Sequence, residues 1–206
     1  MSKIGIMGGT FDPIHNGHIV LGKQALKEYN LDKIWFMPTG HPPHKKDHKV
    51  TDASYRFQMV KLAIEGQEEF VCSDFELLLG GTTYTAKTLF LLHEKFPEHT
   101  FYFIIGADSL FEIEKWYEPK KVLSQAIILA ADREYEEADK SIGAQIAYLT
   151  AHYNADIRRL HCREMDISSS EIRELVEEGE SISDYVPEVV EEYIIRHRLY
   201  KEAEHE

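Results

Sequence analysis

The sequence predicts an α/β protein: a doubly wound, mostly parallel sheet with helices on both faces and a small helical part at the C-terminal end. Three observations lead there. Short apolar runs of strand length recur at 4–7, 34–37, 70–72, 101–105, 127–131 and 157–160. Amphipathic stretches lie between and after them, at 17–29, 52–65, 84–96, 138–152 and 169–178, at the spacing of right-handed βαβ crossovers. The glycine-rich and polar clusters follow the strands, on the edge where sheets of this kind hold ligands.

The first run, Ile4 to Met7, reads as a buried strand. Gly8 and Gly9 let the chain leave it tightly, with bare N–H groups available to an anion. Thr10 and Phe11 continue the turn, and Asn16 to Asn30 reads as the first helix, whose positive end would face a nucleotide phosphate. His15 and His18, three apart, share one face of the first turn. The closing Gly-Lys-Ser/Thr of a Walker A loop is missing, and so is the spacing of a G-x-G-x-x-G turn. His-x-x-His can also ligate zinc, but no Glu of a His-Glu-x-x-His helix accompanies it and no cysteine is near, so no protein metal site is expected.

After the second run, residues 39–48 form a polar loop stiffened by Pro42 and Pro43, carrying His41, His44, Lys45, Lys46 and His48. Such a loop can be a solvated crossover; on the ligand edge of an acidic protein it also suits a phosphate clamp. Gly80 and Gly81 lead to Thr82 or Thr83, either able to cap the helix that follows Tyr84 and Thr85. Free N–H groups at that helix start would suit a carboxylate. Gly106 ends a very apolar run, and Asp108 can bind ribose hydroxyls or cap the next helix. Trp116 and Tyr117 can stack on a ring or serve the core. Near the C-terminus stands Ile167-Ser168-Ser169-Ser170-Glu171-Ile172-Arg173. Ser168 or Ser169 can cap a helix there, and Arg173 can fork onto phosphate or pair with Ser169 at i,i+4. Gly179 can end this helix, Pro187 can open a last one to about Leu199, and the tail at 201–206 is polar and frayed.

At 206 residues and 43% hydrophobic content the chain fits a single domain, an α/β core over 1–166 with a helical part over 167–206. A net charge of −13 argues against a nucleic-acid or anionic-membrane partner, so a polyanionic substrate must be met by local positive groups. Cys72 and Cys162 form neither a disulfide framework nor a Cys-x-x-Cys pattern, and neither a signal peptide nor a bilayer-spanning run is seen; a cytoplasmic protein, monomeric or homo-oligomeric, fits.

The eleven residues 8–18, paired with the motif at 167–173, resemble the nucleotidyltransferase superfamily and, within it, the nicotinate-nucleotide adenylyltransferases. The resemblance implies transfer of AMP from ATP to nicotinate mononucleotide, giving deamido-NAD and pyrophosphate, on a Rossmann-like fold, with Mg2+ arriving on ATP. Carried onto this chain, it implies catalytic roles for His15, His18, Lys45 and Arg173. It implies ATP contacts from Gly8, Gly9, Thr10, Phe11, Gly106, Asp108, Arg133, Ile167, Ser168 and Ser169. The pyridine nucleotide would be met by His44, Tyr84, Thr85, Trp116 and Tyr117. The chain departs from the family at Asp132-Arg133-Glu134-Tyr135, where many relatives have an Arg-Pro-Gly turn. Another phosphomonoester acceptor, phosphopantetheine or nicotinamide mononucleotide, and a nucleotide sensor without turnover remain the alternatives.

Overall fold

The computed structural model describes residues 1–40, 50–132, 136–162 and 167–201. In chain order they form β1 (Lys3–Gly9), α1 (Asn16–Tyr29), β2 (Lys33–Pro38), α2 (Ala53–Ala63), β3 (Phe70–Cys72), α3 (Phe75–Leu79), α4 (Thr85–Lys95), β4 (Thr100–Gly106), α5 (Ala107–Glu112), a 3₁₀ turn at Ile113–Lys115, α6 (Pro119–Gln125), β5 (Ile127–Asp132), α7 (Glu136–Tyr153), β6 (Ile157–His161), α8 (Ser169–Glu178) and α9 (Glu188–Arg196). The strands lie in the order β3-β2-β1-β4-β5-β6, and every pairing is parallel. Strand order therefore reverses between β1 and β4, which opens a crevice beyond their carboxyl ends.

Period-two alternation divides the core. Ile4 and Ile6 of β1, with Phe101, Phe103 and Ile105 of β4, face one layer, built from α4, α5, α6 and α7. Met7, with Tyr102 and Ile104, faces the other, built from α1 and α2. The C-terminal helices join this second layer. Ile172 and Val176 of α8 and Val190 and Ile194 of α9 share its apolar cluster with Phe36 and Met59.

The predicted helices and strands form within a few residues of their expected ends. Two helices were not expected, α3 and α6. They have five and seven residues, too short for a 3.6-residue period to show. The turn after β1 also differs from expectation. Gly8 and Gly9 stay in the strand, and the left-handed residue is Phe11, at φ +49° and buried. A Cβ at Gly9 would lie 3.3 Å from the Phe11 ring, so that glycine makes room for the ring.

Gly5 answers to a closer approach. A Cβ there would come within 2.5 Å of Ile34 Cδ1, 3.0 Å of Leu31 Cδ1 and 3.2 Å of Ile104 Cδ1, all three residues being buried. Gly5→Ala is expected to destabilise the fold by about 1–3 kcal/mol. Urea denaturation followed by circular dichroism would show it as a lower midpoint.

Candidate active site

The crevice between β1 and β4 is filled on one side by the turn that links β1 to α1. Its backbone carbonyls are held one after another. Arg56 Nη1 donates to Thr10 O at 2.7 Å, Arg173 Nη1 to Asp12 O at 2.8 Å, and Ser169 Oγ to Pro13 O at 2.8 Å. Asn16 N–H then donates to Tyr185 O at 2.8 Å. The Asp12 side chain is fully buried, and its two oxygens accept from Thr51 N–H at 3.1 Å and from the Tyr200 hydroxyl at 2.8 Å. The C-terminal helices thus grip the turn directly.

This grip fixes the two histidines. His15 is the N-cap residue of α1, and its N–H donates to His18 Nδ1 at 3.2 Å; the ring centroids are 3.7 Å apart. With Nδ1 accepting, neutral His18 carries its proton on Nε2. The Phe11 ring packs edge-on to His18 at 5.0 Å. Burial lowers the His15 pKa to about 4, partly offset by the Glu171 carboxylate, and burial together with neighbouring His15 puts His18 well below the ordinary histidine value. Both imidazoles are neutral at neutral pH in the protein alone.

Opposite them stands the start of α8. Ser168 is its N-cap: its hydroxyl accepts from Glu171 N–H at 3.2 Å, and Glu171 returns the bond to Ser168 N–H at 2.7 Å. Ser169 does not cap, its hydroxyl being committed to Pro13. Arg173, placed one turn on, uses Nη1 for Asp12 O and for Ser169 O at 3.1 Å. The serine hydroxyls therefore brace the cradle, while half-buried Ile167 packs beside the core at the head of α8. Gly106, at the end of β4, is the N-cap of α5, so Asp108 lies in the first turn of α5 and does not cap it.

A second cavity, of about 290 Å³, adjoins this turn and is lined by Thr39, Glu76, Thr83, Tyr84, Thr85, Ser109, Trp116 and Tyr117. Thr39 ties it to the glycine strand, its N–H donating to Gly9 O at 2.9 Å. Trp116 stands edge-on to Phe103 at 6.2 Å, and Tyr84 and Tyr117 pack at 4.6 Å. All four pyridine-site residues expected outside the 39–48 loop line this cavity. The expected threonine cap is not formed. Buried Glu76 takes the Thr83 hydroxyl at 3.0 Å and the Thr88 hydroxyl at 2.7 Å, so Tyr84 becomes the N-cap residue and α4 begins without a side-chain cap. Lys87 and Thr88 N–H donate to Tyr84 O at 2.9 and 3.0 Å, and the Thr85 and Ala86 N–H groups ahead of them have no side-chain cap.

The sequence matches the cytidylyltransferase-like family over residues 6–175. A probable nicotinate-nucleotide adenylyltransferase of Lachnoclostridium phytofermentans is 44% identical over 97% of this chain and all of its own length. The chain belongs to the nicotinate-nucleotide adenylyltransferase family. Another such relative, from Clostridium tetani, is 39% identical over 98% of the chain and all of its own length. The fold is shared with the Plasmodium falciparum nicotinic acid mononucleotide adenylyltransferase complexed with NaAD, at a TM-score of 0.78 and 23% identity, covering 97% of this chain and 98% of that one. As a member of this adenylyltransferase family the chain is an enzyme, a nucleotidyltransferase.

Of the expected site residues, His44, Lys45 and Arg133 lie outside the described residues. Gly8, Gly9, Thr10, Phe11, His15 and His18 lie in the segment 8–18, against Ile167, Ser168, Ser169 and Arg173 at the start of α8; Tyr84, Thr85, Trp116 and Tyr117 line the cavity beside α4; Gly106 and Asp108 stand at the end of β4 and in the first turn of α5. Sequence reasoning missed Asp12, Thr39, Arg56, Glu76, Ser109 and Tyr200. Arg56 offered a signal: it stands in the core-facing row of α2 with Met59, Val60 and Ala63. Glu76, within the apolar run Phe75–Leu79, offered another.

The depressed His15 pKa has a consequence for stability. Between about 4 and the unfolded value of 6.5 the unfolded chain binds more protons than the folded one, so the folded state loses stability as pH falls through that window. His15→Asn is expected to flatten this dependence. Urea midpoints of both proteins between pH 7 and pH 4, at a few values, provide the measurement.

Proposed function

We propose that the chain transfers AMP from ATP to nicotinate mononucleotide, giving deamido-NAD and pyrophosphate, and that the residues around the turn at 8–18 carry the reaction. A phosphate oxygen of the mononucleotide attacks the α-phosphorus of ATP, the bond to the bridging oxygen breaks, and pyrophosphate leaves. The acceptor supplies the nucleophile, so the chain need only position the two substrates and stabilise charge.

The observation that carries this reading is the 2.8 Å bond from Arg173 Nη1 to Asp12 O. It brings the two sequence motifs, 161 residues apart, into direct contact, which supports reading them as two walls of one phosphate cradle. On one wall His15 and His18 offer imidazole N–H groups; a bound polyphosphate raises their pKa and strengthens them as donors. On the other, Arg173 offers the guanidinium nitrogens not spent on Asp12 and Ser169. Gly8, Gly9, Thr10 and Phe11 lie along the triphosphate, Gly106 and Asp108 beside the ribose, and Ile167 to Ser169 shape the nucleotide end. Lys45, His44 and Arg133 complete the set by their family positions.

In the adjoining cavity the pyridine ring stacks on Trp116, with Tyr84 and Tyr117 at its rim. The uncapped start of α4 at Thr85 receives the nicotinate carboxylate, the group that nicotinamide lacks. Mg2+, which neutralises charge on the β- and γ-phosphates when bound, would be held by phosphate oxygens and water. Among the described residues no three His, Cys, Asp or Glu side chains gather as a protein cage would require. Two cysteines far apart in sequence, Cys72 and Cys162, with no Cys-x-x-Cys pattern, support action in the cytoplasm. No helix among the described residues is long and apolar enough to cross a membrane.

Pyrophosphate release from MgATP, with nicotinate mononucleotide, nicotinamide mononucleotide and phosphopantetheine offered separately, tests the reaction. Release is expected with the nicotinate compound and little with the others; equal rates would refute the carboxylate assignment. His18→Ala should keep the melting temperature within a few degrees and lose about 10²–10³ in kcat. Trp116→Ala should raise KM for nicotinate mononucleotide and leave KM for ATP unchanged, which steady-state kinetics in both substrates would resolve.

A further inference from the structure

Asp12 is the one carboxylate of the turn, and it is cut off from solvent. A buried carboxylate needs donors. Two come from distant parts of the chain: Thr51 N–H on Oδ2, and the Tyr200 hydroxyl on Oδ1 from 188 residues away. Tyr200 is itself fixed. It has φ +61°, and its oxygen lies 4.0 Å from Met59 Sδ. Burial and adjacent Asp12 raise its pKa, so it stays a hydroxyl donor at any working pH. Arg56 surrounds the same point, donating to Thr51 O at 2.8 Å, Thr10 O at 2.7 Å and Gly40 O at 3.3 Å.

Asp12 is bonded from both ends to parts that matter for the reaction. Its carbonyl accepts Arg173, and three residues on stands His15, whose N–H sets the His18 ring. Any shift of Asp12 therefore moves both walls of the cradle together. The geometry points to Tyr200 and Asp12 as positioning residues of adenylyl transfer: the Tyr200-to-Asp12 hydrogen bond sets the spacing between the two histidines and Arg173. Neither side chain reaches substrate, because the carboxylate is buried and the hydroxyl is spent on it. This inference rests on the roles proposed above for His15, His18 and Arg173.

The test uses Tyr200→Phe, which keeps the ring and removes the donor, with Asp12→Asn and the double variant. Rates are normalised to the folded fraction in each sample. A positioning role predicts that Tyr200→Phe lowers kcat about ten- to hundredfold while both KM values stay within about twofold. Asp12→Asn replaces one acceptor oxygen by an NH2 donor, so the side chain can no longer accept from both Thr51 N–H and Tyr200, and the losses in log kcat of the double variant should be less than additive. A Tyr200→Phe enzyme with wild-type kcat per folded molecule and only a lower melting temperature would overturn the inference and leave a structural bond. So would a double variant whose losses in log kcat add. Tyr200→Phe is the decisive variant if Asp12→Asn fails to fold. His18→Ala, assayed in parallel, separates the two levels: if it keeps turnover, the histidine assignment falls, whereas an inactive His18→Ala beside a fully active Tyr200→Phe removes only the positioning role.

Discussion

A buried turn between β1 and α1, held by hydrogen bonds from distant parts of the chain, is the constraint on which the rest of the structure depends. Six residues there carry peptide groups and a carboxylate below the surface, and each buried polar atom left unmade would cost on the order of 1–3 kcal/mol. Donors from three separate parts of the chain meet that demand, Arg56 and Thr51 at the start of α2, Ser169 and Arg173 at the start of α8, and Tyr200, while Tyr185 O accepts from Asn16 N–H. The sheet supplies only the place, the crevice where strand order reverses. The C-terminal helices, which share the core of the α/β part, hold the turn in shape.

Chemistry and architecture share atoms here. Arg173 uses one nitrogen for the fold and leaves others for the phosphate role proposed above, Ser168 uses its hydroxyl to cap α8, and Ser169 uses its own to brace α8 against the turn. The same economy governs the second cavity. Glu76, whose pKa burial raises, draws the Thr83 hydroxyl away from the helix end, so the first N–H groups of α4 are not satisfied by a local side chain. A threonine cap would have stabilised the helix and occupied the N–H groups that are proposed to meet the nicotinate carboxylate.

Much of this was legible in the sequence. Strands such as 101–105 and helices such as 17–29 are long or apolar enough for periodicity to declare them, and the two distant motifs that the sequence paired do touch in the structure. What stayed hidden is of two kinds. Helices of five to seven residues carry too few positions for a period. The long-range polar contacts, Asp12 with Tyr200 or Glu76 with Thr83, join residues whose local sequence gives no sign of a partner. Single buried charges within apolar stretches, Arg56 on α2 and Asp12 between Phe11 and Pro13, are the nearest thing to a warning. The glycine turn was misplaced for a related reason: Phe11 adopts the left-handed conformation because tertiary burial holds it there, against its intrinsic preference.

The reach of Tyr200 back to Asp12 also bears on the order in which the molecule can assemble. Pairings such as β1 with β2 need only about thirty residues of chain, so the sheet can begin to form early. The Asp12 carboxylate must wait for a partner made 188 residues later. Until then the turn lacks a donor that fixes it, and the nascent sheet has no finished cradle. Competence for catalysis therefore arrives in one late step, with the docking of α9 and the residues that follow it, and not gradually as the strands pair.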